Sequence, residues 1–112
     1  MLRSVRILGQ KVDIKVVTDL HHDNGRDTKP ALGTYSNTNS LIELDSAQQP
    51  ERMRVTLLHE TLHGLLDGGG IDDLLCSIHD DLDEQVVGRL APLLLSWLRE
   101  NPPALAYILG GE

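Results

Sequence analysis

The chain has 112 residues, a length that fits one domain with a modest hydrophobic core. Its formal net charge of −7 excludes the basic surface that nucleic-acid binding requires, so we expect no nucleic-acid partner. No apolar run approaches the roughly 20 residues that span a bilayer, no signal peptide is visible after Met1, and Cys76 has no second cysteine to pair with. We therefore predict a single cytoplasmic domain over residues 1–112 with no membrane partner.

The first part of the chain favours β-structure. Apolar and polar side chains alternate in residues 4–20 on both sides of a glycine turn, which predicts a hairpin or a bent strand. Residues 33–36 and 40–44 predict two further short strands, or one edge strand with a bulge. The polar residues 21–32 between them are rich in turn formers and predict a loop with solvated histidines.

The second part of the chain predicts helices. A first helix begins between Ser46 and Pro50, where Ser46 and Gln49 fit a capping box, and it continues to Asp67 before three glycines stop it. Its apolar stripe consists of Leu58, Leu62, Leu65 and Leu66. Residues 71–80 then predict a connector with a short helical turn.

A second long helix begins near Asp81, is kinked by Pro92 and ends at residues 101–103. Its apolar stripe consists of Val87, Leu90, Leu94, Trp97 and Leu98. Because the strands precede the helices, we predict an α+β fold. We expect a small twisted, mostly antiparallel β-sheet packed on the first helix and on this C-terminal one.

The first predicted helix contains the sequence His-Glu-Thr-Leu-His at residues 59–63. His59 and His63 are one helical turn apart on one face, so both imidazoles can bind the same metal ion. Glu60 follows the first histidine, and its carboxylate can reach a water held at that point. This pattern is typical of zinc metallopeptidases, so we predict one Zn²⁺ ion as cofactor and Glu60 as the general base.

Catalytic zinc takes a third protein ligand, and the residues after the glycines supply the candidates. We choose Glu84, because it opens the second long helix on the side that faces the core. His79 is the runner-up and Asp80 comes next, in a connector whose geometry the sequence does not define. We expect Asp81 to cap the helix and Asp83 to face water.

Two other residues are weaker candidates for a supporting role. Asp67 is four residues after His63 and could orient that imidazole or bind the metal, although a solvated aspartate at the helix end is favoured. Tyr35 is one of the side chains that could stabilise an oxyanion, the others being Tyr107, His79, His21 and His22. A protein or peptide substrate would bind as an added strand along a sheet edge in residues 33–44.

These segments together resemble a minimal gluzincin, similar to small phage and bacterial metallopeptidases of the ImmA/IrrE type. The resemblance rests on residues 33–35, 41–44, 54–63, 84–90 and 98–102 and covers roughly residues 31–102. It implies a zincin-like fold with His59 and His63 as ligands, Glu60 as the base and Glu84 as the third ligand. The chain departs from that pattern at Leu62, where glycine is usual, and after Glu84, where alanine-rich sequence is usual.

The features together predict a zinc-dependent endopeptidase of minimal size. One alternative is a zinc-stabilised binding or virion-associated protein with little turnover. Retention of Glu60 argues against it, because a structural zinc site needs ligands but no base. A second alternative, a DNA-associated protease of the SprT kind, is disfavoured by the acidic charge.

Overall fold

The computed structural model describes residues 2–23 and 28–111, and these form six β-strands followed by four α-helices. The strands are β1 (Ser4–Ile7), β2 (Gln10–Val17), β3 (His21–Asp23), β4 (Thr28–Pro30), β5 (Gly33–Ser36) and β6 (Leu41–Asp45). The helices are α1 (Pro50–Gly68), α2 (Ile71–Ile78), α3 (Leu82–Glu100) and α4 (Pro102–Ile108). The predicted α+β class is confirmed.

Four of the strands form one mixed sheet in the order β1-β2-β6-β5. The pairs β1–β2 and β5–β6 are antiparallel hairpins, whereas β2 and β6 run parallel. The sheet is therefore mostly antiparallel, as predicted, and β5 is an edge strand of this four-stranded sheet.

The segment predicted as a loop contains two short strands. β3 and β4 pair antiparallel as a separate two-stranded sheet, so the loop prediction for residues 21–32 is wrong in part. Residues 24–27 lie outside the described part of the chain. Alternation alone could not reveal a pair of three-residue strands, because such short strands carry too little pattern.

One hydrophobic core lies between the sheet and α1. It contains the inward-facing residues of β1, β2 and β6, because successive side chains of a strand point to opposite faces. Met53 and Leu57 of α1 pack against this cluster, as do Val5 and Tyr35. The buried members are Ile7, Val12, Ile14, Ile42 and Leu44.

A second core lies between α1 and α3. Leu62, Val87 and Ala91 are buried there, and Leu58, Leu66 and Leu94 pack against them. Helix α1 is thus covered on two sides, by the sheet and by α3. Besides Met53 and Leu57, its sheet side carries the buried polar or small residues Thr56, Glu60 and Gly64.

The two predicted apolar stripes are only partly correct. Leu65, Leu90 and Trp97 are exposed, whereas Ala91 is fully buried. Helical periodicity locates one apolar face, but α1 packs against both the sheet and α3 and therefore has two buried faces. Helix α3 contacts α1 through the small side chain of Ala91 as well as through larger ones.

The helix ends differ from the prediction in their hydrogen bonds. The residue before α1 is Gln49, which makes no side-chain cap, so the capping box with Ser46 is not formed. Asp81 precedes α3 as expected, but its side chain accepts a hydrogen bond from Gln85 instead of capping the helix. The predicted connector contains the eight-residue helix α2, and Pro92 lies inside α3. Within residues 2–23 and 28–111, no helix combines the length and apolarity needed to cross a membrane.

Candidate metal centre

Helix α1 presents both motif histidines to the same point. The Nε2 atoms of His59 and His63 are 3.2 Å apart, and the ring centroids are 4.9 Å apart. This convergence follows from the helix, since residues four positions apart stand one above the other. Both side chains are largely buried, with 20% and 16% of their surface exposed.

Glu84 joins the two histidines from the first turn of α3. Its Oε1 is 3.0 Å from Nε2 of His59, and its Oε2 is 2.7 Å from Nε2 of His63. The apolar contacts of Leu62 with Val87 and Ala91 hold α3 against α1, which brings this carboxylate to the histidine pair. The Glu84 side chain is 60% exposed, so it also faces solvent.

The donor atoms of this group fit one zinc ion. Zinc bonds of about 2.0–2.2 Å in a tetrahedral site separate neighbouring donor atoms by roughly 3.3 Å. The observed separations among the donors of His59, His63 and Glu84 are 2.7–3.2 Å. Two imidazoles and one carboxylate are also a donor set of catalytic zinc sites, which keep a position open. These three residues could therefore hold the metal that the motif implies.

Glu60 lies behind the histidines and is buried. Its Oε2 is 3.9 Å from Nε2 of His59, and the residue is 7% exposed. Burial, with a smaller contribution from the charge of Glu84, raises the pKa of Glu60 to about 7. A Cβ atom on Gly33 would lie 3.0 Å from Cγ of Glu60, so the glycine allows β5 to cover this carboxylate closely.

The protonation of His59 also favours metal binding. Burial lowers the pKa of His59, although the nearby Glu84 carboxylate opposes that change. A lower pKa favours the neutral imidazole at neutral pH, and only the neutral ring can donate an electron pair to a metal.

Asp83 was expected to face water, and that expectation is wrong. Its side chain is 21% exposed, and its Oδ2 lies 4.0 Å from Nδ1 of His63. The sequence held a signal for this position: Asp83 is one helical turn before Val87, which is completely buried in the α1–α3 contact. Residues of one turn share a face, so Asp83 lies on the side of α3 that meets α1.

Asp83 also belongs to an acidic group with helix α2. Asp72, Cys76 and Asp83 have side-chain donor atoms within 4.8 Å of one another. A hydrogen bond to Asp83, together with burial, raises the pKa of Asp72 to about 6. The pKa of Asp83 is lowered: burial opposes this, but hydrogen bonds from Asp72, the Glu84 backbone and Cys76 outweigh it. Asp72 therefore takes up the proton of the pair first.

The runner-up ligands lie elsewhere. His79 is exposed, and its Nδ1 is 2.9 Å from Oδ1 of Asp81 instead of pointing to the histidine pair. Asp80 is exposed as well. Tyr107 is 74% exposed on α4, and His21 is exposed with its ring nitrogen 2.7 Å from the Asp19 carbonyl oxygen. The side chain of His22 lies outside the described part of the structure.

The two weaker candidates, Asp67 and Tyr35, both line a cavity beside the histidines. Burial and the charge of Asp67 raise the pKa of Tyr35 above its usual range, which keeps the phenol protonated at neutral pH. Tyr35 packs close to Gly64, where a Cβ atom would lie 3.1 Å from its ring. Among the described residues no hydrogen bond joins Asp67 to His63, whose nearest carboxylate on the Nδ1 side is Asp83.

A cleft along β5 runs past the donor group, which consists of His59, His63 and Glu84. A cavity of about 590 Å³ is bordered on one side by Tyr35, Asp67 and Asp72. A second cavity of about 490 Å³ is bordered by Arg52 and Pro92. The two cavities share the residues Ala31, Gly33, His59, Glu60 and Glu84. The space on both sides of the donor group is large enough for a segment of extended peptide.

Two curated proteins are similar to this chain in sequence. The radiation response metalloprotease IrrE of Deinococcus radiodurans is 36% identical over 81 residues, which cover 69% of this chain and 24% of that protein. The protein of the same name from Deinococcus deserti is 42% identical over 62 residues, which cover 52% of this chain and 21% of that protein. The chain thus matches about a quarter of the length of these relatives.

No family model matches the chain, and no solved structure matches it. The similarity to the two Deinococcus proteins nevertheless agrees with the resemblance that the motif and its flanking segments indicated. The chain is therefore confirmed to resemble metallopeptidases of the ImmA/IrrE type.

Proposed function

We propose that this chain is a zinc-dependent metallopeptidase that hydrolyses peptide bonds. The observation that carries this proposal is the convergence of His59, His63 and Glu84 beside the buried carboxylate of Glu60. The similarity to proteins named metalloprotease supports the same class of reaction. The three converging residues are the proposed ligands of one zinc ion, and Glu60 is the proposed general base.

A bound zinc ion lowers the pKa of a coordinated water and polarises a carbonyl group. Glu60 accepts the proton of the attacking water at its carboxylate and returns a proton to the leaving amine. A base is most effective when its pKa lies near the working pH, and the burial of Glu60 raises its pKa in that direction. His59 and His63 keep the ligand geometry because both are anchored in the middle of α1.

The substrate in this proposal is a protein or peptide in extended form. It binds in the cleft along β5, the edge strand beside the donor group, where a peptide can pair as an added strand. Tyr35 of β5 lines this cleft and keeps its phenol proton, so it is the proposed donor to the oxyanion. The exposed Tyr107 and His79 are not needed for that role.

A buried carboxylate at position 60 also separates this proposal from a purely structural zinc site. Burying an ionisable group costs free energy unless a partner or a function compensates. A structural site gains nothing from Glu60, whereas a hydrolytic site needs a base next to its ligands. This observation favours turnover over the non-catalytic alternative.

The proposal is tested by zinc analysis and a peptidase assay on the wild type, Glu60→Gln and the control Glu100→Gln. Glu100 is an exposed glutamate at the end of α3, so its replacement tests the same chemical change away from the cleft. We expect about one zinc ion per chain in all three proteins. Hydrolysis of a fluorogenic peptide library should fall by about 10²–10⁴-fold in Glu60→Gln alone.

Two results would contradict the proposal in different ways. A carefully purified wild type that binds no zinc would remove the metal site. A wild type that binds zinc but cleaves no peptide in the library, with Glu60→Gln behaving identically, would support the non-catalytic alternative.

A further inference from the structure

We infer that Asp83 is a positioning residue, which holds the imidazole of His63 in the orientation that metal binding requires. The inference rests on the proposed metal site and adds to it a residue that is neither a ligand nor the base. It comes from one contact: Oδ2 of Asp83 lies 4.0 Å from Nδ1 of His63, on the side of the ring opposite to Glu84.

The two nitrogens of His63 have different neighbours. Nε2 faces the donor group, with the carboxylate of Glu84 at 2.7 Å. Nδ1 faces Asp83. A histidine that binds a metal through Nε2 carries its proton on Nδ1, and a carboxylate at Nδ1 fixes both that tautomer and the direction of the ring. Asp83 is placed for this role.

The separation of 4.0 Å is longer than a direct hydrogen bond. A shift of about 1 Å would bring the two atoms within hydrogen-bond range. Both side chains are mostly shielded from solvent, at 16% and 21% exposure, so the interaction between them is screened less than a surface pair would be.

Groups of two helices surround the Asp83 carboxylate. The side-chain donor atoms of Asp72 and Cys76, both on α2, lie within 4.8 Å of it. The backbone of Asp83 belongs to the first turn of α3, which the buried Val87 anchors one turn later. The carboxylate thus lies between α2 and α3 and is shielded from solvent, which suits a residue that must orient another side chain.

Asp67 is the other acidic residue that the sequence suggested for this role. It follows His63 by one helical turn and lines the cavity beside Tyr35. The charge of Asp67 acts on the phenol of Tyr35 and on Asp72, whereas the carboxylate within 4.0 Å of Nδ1 of His63 is that of Asp83. The geometry therefore assigns the orienting role to Asp83.

The first test measures zinc affinity by competition with a chromophoric chelator in the full chain. The proteins are the wild type, Asp83→Asn, Asp83→Ala and the control Asp73→Asn. Asp73 is an exposed aspartate on α2, so its replacement removes a nearby negative charge without touching His63. We expect zinc affinity to fall about 10–100-fold in Asp83→Ala, less in Asp83→Asn, and to stay unchanged in the control.

The second test observes the ring of His63 directly in the wild type, so it does not depend on the folding of any variant. Proton–nitrogen NMR of the zinc-loaded protein should show a proton on Nδ1 of His63 that exchanges slowly with water. Replacement of Asp83 should speed that exchange, whereas a residue that only supports the fold would leave the tautomer signal unchanged. Thermal unfolding in chelator checks that the metal-free fold is retained.

Several outcomes would overturn the inference. Equal zinc affinity in all four proteins would remove the role of Asp83 while leaving the proposed function intact, as would a wild-type His63 without a proton on Nδ1. Two zinc ions on the wild type and one on Asp83→Ala would make Asp83 a ligand of a second site instead. A wild type without any zinc would overturn the proposed function and this inference together.

Discussion

The burial of Glu60 makes a quantitative prediction about the metal-free protein. Burial raises the pKa of Glu60 from its ordinary value of 4.5 to about 7. Because the pKa is higher in the folded chain, the free energy of unfolding is highest below about pH 4.5, where Glu60 is neutral in both states. It falls as the pH rises to about 7. At about 1.4 kcal/mol for each pH unit, the loss amounts to about 3 kcal/mol.

The substitution Glu60→Gln removes this loss, since glutamine keeps the size of the side chain and stays neutral. Urea and thermal unfolding of the wild type and the variant are compared in chelator between pH 4 and pH 8. The free energy of unfolding of the variant should exceed that of the wild type by a margin that grows by about 3 kcal/mol over this range. This margin corresponds to roughly 10 °C or more in Tm.

Taking the difference between two proteins cancels the titration of groups that they share. Glu100→Gln makes the same chemical change at an exposed position and is the control. Added zinc should shrink the margin for Glu60→Gln, because a cation near the carboxylate stabilises its charged form. A constant margin from pH 4 to pH 8 would refute the reasoning, since it would mean that Glu60 ionises in the fold as freely as in the unfolded chain.

Three further substitutions test the ligand choice, the close strand–helix contact and the core. Glu84→Ala should weaken zinc binding strongly in a chelator competition while His79→Ala leaves it unchanged, and the reverse result would move the third ligand to His79. Gly33→Ala places a Cβ atom 2.7–3.0 Å from two side chains of α1. It should therefore lower the free energy of unfolding by about 1–3 kcal/mol and reduce peptidase activity. Wild-type values of both would show that β5 shifts freely. Ile42→Ala, at a fully buried position, should cost about 2–5 kcal/mol in urea unfolding. The exposed Leu93→Ala should cost less than about 0.5 kcal/mol, and similar losses in these two variants would contradict the assignment of the core.

Much of the fold could be predicted from the local spacing of residues. The α+β class and most of the strands and helices follow from alternation, helical period, glycine and proline, all of which act over a few residues. The pair His59 and His63 belongs to this kind of information, because one helical turn brings the two rings together wherever the helix lies. Glu84 follows from the same helical period on α3, where it lies in the first turn, and its role as a ligand is a proposal.

Only the tertiary structure decided which neighbours each of these residues has. His79 and Asp83 both lie in the acid-rich segment just before Glu84. The packing of α3 on α1 nevertheless turns Asp83 towards His63 and leaves His79 in solvent. The burial of Glu60 likewise depends on β5, which approaches α1 at Gly33 from elsewhere in the chain. Sequence by itself therefore determined the helix that carries the motif, while long-range packing determined what surrounds the motif, because contacts between distant segments leave no local period to detect.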